Sequence, residues 1–132
     1  MIDAVQALLP HSASVHHLGL FREKSTLQPV EYYNNLPQST DSVPRLAILL
    51  DPIIATGGTA CAAIQTLREW GVQRIVVVSV LGATEGVAQA AREWSEGVQI
   101  WLGGLDAELT GNGYIKPGVG DIGDRLFGTV GK

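Results

Sequence analysis

A chain of 132 residues supports a single domain, 1–132, and 45% hydrophobic against 17% charged residues describes a globular protein rather than a disordered one. The net charge of −4 and a pI near 5.2 leave no basic stripe for a nucleic-acid backbone. The longest apolar stretch, 75–82, falls far short of a membrane span, no signal peptide is read ahead of it, and the lone Cys61 supports no disulfide framework, so a cytoplasmic location is the default.

In chain order, Val5, Leu8 and Leu9 fall at helical spacing and Pro10 stops them. Residues 15–21 and 31–36 read as strands, the second followed by a polar loop over 37–44. His16 and His17 are adjacent, and on a strand they face opposite sides, which argues against a two-His metal site. Residues 46–50, Leu-Ala-Ile-Leu-Leu, are continuously apolar and predict a strand covered on both faces, as in a parallel sheet. From Cys61 to Trp70 the apolar residues return at helical spacing, and Gly71 ends that helix. The next apolar run, 75–80, completes a βαβ unit. A helix over 85–94, a strand over 98–102 and a Gly-rich tail without regular structure follow. Trp70, Trp94 and Trp101 sit near element ends and read as packing residues, Cys61 as a small apolar group, and Arg68, Glu69, Arg92 and Glu93 as solvated helix-face charges.

Between strand and helix lies Asp51-Pro52-Ile53-Ile54-Ala55-Thr56-Gly57-Gly58-Thr59, at the carboxyl end of a parallel strand, where ligands of such folds bind. Gly57 and Gly58 let backbone N–H groups approach an anion at a helix N-terminus, and Thr56 and Thr59 add hydroxyl donors. From the glycines alone, an ordinary loop with a Thr cap is equally open. Asp51 repels phosphate but suits a ribose hydroxyl or a cation, so the combination points to a sugar phosphate. No Lys follows the glycines, which excludes a Walker loop.

Gly118-Val119-Gly120-Asp121-Ile122-Gly123 fits the spacing of a dinucleotide fingerprint but fails on context, because Pro117 precedes it and nine residues follow it. The segment reads instead as a loop whose backbone N–H and C=O groups meet the edge of a flat ligand. Such backbone groups match an edge of alternating donors and acceptors without any charged side chain. Asp124 reads as a structural pair with Arg125 or a loop cap.

The stretch from Asp51 to Thr59 resembles the phosphoribosyl pyrophosphate (PRPP) motif of type I phosphoribosyltransferases, in the form with Pro after Asp found in uracil phosphoribosyltransferases. Leu18-Gly19-Leu20-Phe21-Arg22, Thr84-Glu85-Gly86 and the segment from Asn112 through Gly120-Asp121-Ile122-Gly123-Asp124-Arg125 to Thr129 resemble the same family in order and spacing. The resemblance implies a three-layer α/β/α fold with a mostly parallel sheet, and transfer of phosphoribosyl from PRPP to uracil, giving UMP and pyrophosphate. It implies PRPP contacts by Arg22, Asp51, Pro52, Ile53, Ile54, Ala55, Thr56, Gly57, Gly58, Thr59 and Asp121. Asp51 and Asp121 are the catalytic candidates, and Ile115, Gly120, Asp121 and Ile122 form the uracil pocket. Ile122 stands where the family often has Ala. Mg²⁺ accompanies PRPP, GTP is a candidate effector, a homo-oligomer is expected, and the hairpin near 20–36 is expected to be a flexible cover.

No Arg-Ala-Gly occurs in the chain, although the family pattern has it on a loop after a central strand. That strand is expected between the strands near 15–20 and 46–50. Without it the two must close up, or a groove stays open, with partial order, non-native pairing or burial against another chain as the expected outcomes. The corresponding expectation is a truncated form with impaired turnover. Two other readings stay open: a non-catalytic regulator that keeps the nucleotide site, and a phosphoribosyltransferase for another base.

Overall fold

The computed structural model describes residues 1–23, 29–38 and 43–129, with the side chain of Arg22 also outside the description. The elements are α1 (Ile2–Leu8), β1 (Leu18–Arg22), β2 (Pro29–Asn34), β3 (Leu46–Leu50), β4 (Ile53–Ile54), α2 (Gly58–Trp70), β5 (Arg74–Ala83), α3 (Thr84–Glu93), β6 (Val98–Asp106), β7 (Glu108–Leu109), β8 (Ile115–Lys116) and α4 (Ile122–Phe127).

The central sheet is parallel, with β5 in the middle, β6 on one side and β3 followed by β4 on the other. This is the expected α/β class, and the βαβ unit β3–α2–β5 is in place. Leu50 pairs with Val78 and Ile53 with Leu81, three residues on along both strands. Pro52 therefore interrupts the strand without shifting its register. Its carbonyl accepts hydrogen bonds from Val80 N (3.0 Å), Leu81 N (3.2 Å) and Ser79 Oγ (3.2 Å). Proline has no N–H to give to a ladder, and the acceptor side of the same residue keeps the edge attached to β5.

Alternation along the strands decides which face is covered. Ile75 and Val77 point to one side with Ala47, Leu49, Val98, Ile100 and Leu102, and α2 and α3 bury Ala60, Ile64, Leu67 and Ala90 against them. Burying side chains such as Ile64 and Ile75, both at 0% exposure, contributes about 1.5–3 kcal/mol each. Gly71 closes α2 in the left-handed region, φ 110°, and its N–H meets the carbonyls of Arg68 and Leu67.

Among the described residues the other face is open, so the expectation that 46–50 is covered on both faces does not hold. Leu46, Ile48, Val80, Trp101 and Leu105 are exposed, Trp101 at 66%. Trp70 and Trp94 pack on the core as expected, whereas Trp101 does not. It occupies an outward position of β6, between inward Ile100 and Leu102. Arg68 is also more than a solvated charge, since its guanidinium lies 5.6 Å over the Trp94 ring.

β1 and β2 form a separate antiparallel pair. Thus β1 and β3 have not closed up, and β3 has no strand on its outer edge among the described residues. The hairpin leans on α2 instead, through Trp70 Nε1 donating to Pro37 O (2.8 Å) and Thr66 Oγ1 donating to Glu31 Oε2 (3.2 Å). His16 and His17 are exposed, and the His16 ring sits edge-on to Trp70 at 5.9 Å.

The tail departs from the expectation of no regular structure. Asn112-Gly113 closes a β7–β8 hairpin, with Gly113 at φ 79° and Thr110 N donating to Tyr114 O at 2.7 Å. Asp121 then caps α4 by accepting from Asp124 N at 2.9 Å. Asp124 binds Thr129 Oγ1 (2.7 Å) and Arg125 donates to Val119 O (3.1 Å), each using a partner other than the expected Asp124–Arg125 pair.

Candidate active site

Three turns meet at the C-terminal edge of the sheet. The first runs from Asp51 to Gly57. Asp51 is half-buried between β3 and β4, with its N–H donating to Val78 O at 3.2 Å. Burial pushes its carboxyl up from the ordinary value, and a backbone hydrogen bond from Ile53 partly opposes that. Ile54 is fully buried and anchors the turn, after which Ala55 and Thr56 lead to Gly57.

Gly57 is the N-cap of α2, at φ 88°, and as glycine it offers no side-chain cap of its own. The first intrahelical bond runs from Cys61 N to Gly57 O, 2.8 Å. Helix geometry leaves the N–H groups of Gly58, Thr59 and Ala60 without intrahelical acceptors, at the positive end of a 13-residue helix.

The second turn is Thr84-Glu85-Gly86 at the start of α3. Gly86 is buried against the first turn: a Cβ on it would fall about 1 Å inside the 3.0 Å limit real Cβ atoms keep, against Ala55 O, and would lie 2.8 Å from Gly57 N. A Cβ on Gly57 would in turn collide with Gly86 O. The two glycines are thus a backbone-to-backbone contact that holds the Ala55 to Gly57 turn against α3.

The third turn connects through Asp106, the last residue of β6. Its backbone O accepts from Thr84 Oγ1 (3.2 Å) and its Oδ2 accepts from Gly118 N (2.9 Å). Beyond Gly118 lie Gly120, Asp121 and Ile122, all exposed, while Ile115 is buried in β8. The described residues thus bring 51–59, 84–86, 106 and 118 to one edge. Arg22 ends β1 in the separate hairpin, and its side chain is outside the description.

Gly86 and Asp106 carried no assigned role from sequence. Asp106 had a readable signal, a carboxylate ending a parallel strand as Asp51 does; the closeness of Gly86 to Ala55 had none. A cleft of about 110 Å³ lined by Arg74, Glu96 and Gln99 lies at the other end of β5. Cys61 sits half-buried on α2, and burial, with Glu93 nearby, pushes its thiol up, which makes it a poor nucleophile. Among the described residues no group of three His, Cys, Asp or Glu is placed to hold a metal ion.

A parallel sheet that brings a helix N-terminus, a half-buried carboxylate and a glycine-rich loop to one edge defines the chain as an α/β protein. The uracil phosphoribosyltransferase family model matches residues 1–129, and the chain belongs to that family. It is 50% identical over 129 residues to the uracil phosphoribosyltransferase of Roseiflexus castenholzii and 47% identical over 129 residues to that of Thermoanaerobacter pseudethanolicus, covering 98% of this chain and 60% of each relative. The solved structure of the AQ2163 protein from Aquifex aeolicus superposes with a TM-score of 0.85 at 34% identity, over 97% of this chain and 59% of that one. The chain spans about 60% of the length of the curated relatives it matches.

Proposed function

We propose that this chain carries the phosphoribosyl-transfer site of a uracil phosphoribosyltransferase, converting uracil and PRPP to UMP and pyrophosphate. The carrying observation is the Ala55 to Gly57 turn, seated on Gly86 at the N-terminus of α2 with Asp51 behind it. In this reading the amides from Gly57 to Thr59 hold the 5-phosphate, while Pro52, Ile53 and Ile54 set the turn. Asp51 accepts from a ribose hydroxyl, and Arg22, at the end of β1, is the cationic candidate for PRPP. The names of the relatives favour uracil over another base.

Uracil N1 bonds to ribose C1 as the bond from C1 to the pyrophosphate oxygen breaks, and the N1 proton is released. No protein nucleophile is needed, so positioning and charge stabilisation are the protein's contribution. The backbone of Ile115, Gly120, Asp121 and Ile122 would meet the edge of the base, with one Asp121 oxygen already used as the α4 cap. Mg²⁺ fits as a substrate-borne ion, because Asp51, which among the described residues belongs to no carboxylate cluster, suits a cation that keeps its waters and phosphate ligands. When bound it supplies neutralisation of the pyrophosphate charge.

A homo-oligomer is supported by the exposed apolar face of the sheet, whose described residues carry no charge across Ile48, Val80, Trp101 and Leu105. A GTP effector rests on the resemblance alone, and a cytoplasmic location on the single cysteine and composition; no helix among the described residues is long and apolar enough to cross a membrane.

The test is calorimetric titration with PRPP and UMP, alongside UMP formation from uracil. Both ligands should bind, and Gly57→Ala should weaken both at least ~10-fold, because it moves the amides off the phosphate. Binding of neither ligand, or binding untouched by Gly57→Ala, overturns the assignment.

A further inference from the structure

We infer that Asp106 is a positioning residue for the base-binding loop, tethering Gly118 to the end of β6 and thereby setting where Gly120, Asp121 and Ile122 present their backbone. This rests on the reading of Ile115 and 120–122 as the uracil pocket. Packing does little to place that loop: Gly120, Asp121 and Ile122 are exposed, and a Cβ on Gly120 would meet nothing within 4 Å. Its position therefore depends on a few polar tethers. Two of them, Asp121 to Asp124 N and Arg125 to Val119 O, stay within the loop and α4.

The bond from Gly118 N to Asp106 Oδ2, 2.9 Å, reaches the sheet. A carboxylate acceptor makes it one of the stronger classes of hydrogen bond. Gly118 suits the attachment, since it lies at φ 55° and a Cβ there would collide with Ile115 O. Asp106 is itself held, half-buried, by pairing with Ala83 and by Thr84 Oγ1 on its carbonyl. One residue thus links the start of α3, which backs the phosphate turn, to the base loop.

In the proposed site the tethered loop holds the base, with Asp121 its one candidate PRPP contact, while the 5-phosphate rests on the Gly57 to Thr59 amides, so the tether weighs more on UMP than on PRPP, which separates it from a general structural role. Binding of UMP and PRPP, which share the ribose 5-phosphate, is measured by calorimetry for the full chain, Asp106→Ala and Asp106→Asn. Losing a charge-assisted hydrogen bond predicts UMP about 10-fold weaker in the Ala variant, with PRPP within about threefold of the parent. Asn retains an acceptor and should recover UMP binding to within about threefold. Hydrogen exchange at Gly118 N should quicken in the Ala variant by about 10-fold, whether or not ligand binds. If the unsubstituted chain binds neither ligand, the active-site assignment itself fails. If it binds both, three results overturn the tether: UMP unchanged in the Ala variant, UMP and PRPP weakened alike, or Asn as weak as Ala.

Discussion

Gly86→Ala separates two opposing effects whose sizes are known. On helix propensity alone, replacing glycine with alanine inside α3 should stabilise the fold by up to about 1 kcal/mol. The structure predicts the opposite. The new Cβ would sit about 1 Å inside the 3.0 Å limit against Ala55 O and at 2.8 Å from Gly57 N, and both neighbours are backbone with no rotamer to change. Either α3 or the Ala55 to Gly57 turn must move by about 1 Å. Overpacking of that kind costs about 1–3 kcal/mol, which outweighs the propensity gain, so a net loss is expected. The functional consequence is larger, because a 1 Å misplacement of a positioning element is worth about 100-fold. Thermal unfolding and calorimetric PRPP binding measure the two together: a lower melting temperature and a ~100-fold loss of affinity are expected. A melting temperature that rises with affinity preserved would show that the turn does not rest on Gly86.

Asp51→Asn should stabilise the fold at neutral pH while weakening PRPP. Burial raises the folded carboxyl above its ordinary value of 3.8, so the favourable contribution of the protonated acid is fully present below that value and is lost as pH rises through the folded value. The stability difference from the parent, followed by denaturant unfolding between pH 3 and pH 7 by a roughly constant protocol, should grow with pH; a pH-independent difference removes the argument. Trp101→Gln, at a residue 66% exposed, should alter folding stability by no more than about 0.5 kcal/mol yet shift sedimentation toward the monomer, and an unchanged profile argues against the oligomer through this face. Trp70→Phe removes the 2.8 Å bond to Pro37 O at a cost of about 1 kcal/mol, and amide exchange in β1 and β2 should quicken; unchanged exchange would mean the hairpin is held elsewhere.

Much of this fold was legible because local signals were strong. The unbroken apolar run of β3, the periodicity of α2 and the stop at Gly71 each follow from a property that neighbouring residues show by themselves. The rest depends on partners distant in sequence. That β4 rejoins β5 past Pro52, and that Ser79 meets the Pro52 carbonyl, could not be seen without β5 beside them. The tail looked structureless because its hairpin strands are two residues long and its helix six, too short for a periodic pattern. Trp101 misled for a related reason, since its burial depends on what covers the outer face rather than on its own strand.

The same distinction explains how the site is assembled. Asp51, Gly57 and Asp106 lie at the carboxyl end of a strand or the start of a helix, whereas Gly118 and Gly120 lie in the loop between β8 and α4, and the forces locating them differ. Asp51 is placed by two ladder segments on one edge of β5, and Gly57 by steric contact with Gly86. Such contacts have steep repulsive walls and leave little play. Gly118 sits tightly against Ile115 O and reaches the sheet through one carboxylate hydrogen bond, while Gly120, Asp121 and Ile122 beyond it are exposed. A hydrogen bond of that kind is worth about 1.5–3 kcal/mol, so the base end has far more freedom than the phosphate end. A ligand that anchors first through its phosphate would meet a rigid turn, and the adjustable loop could then close on the base. In the proposed site, ordering the loop at that stage would lower the apparent affinity for the base without weakening the grip on the phosphate, so a phosphate-bearing ligand should bind more tightly than the free base.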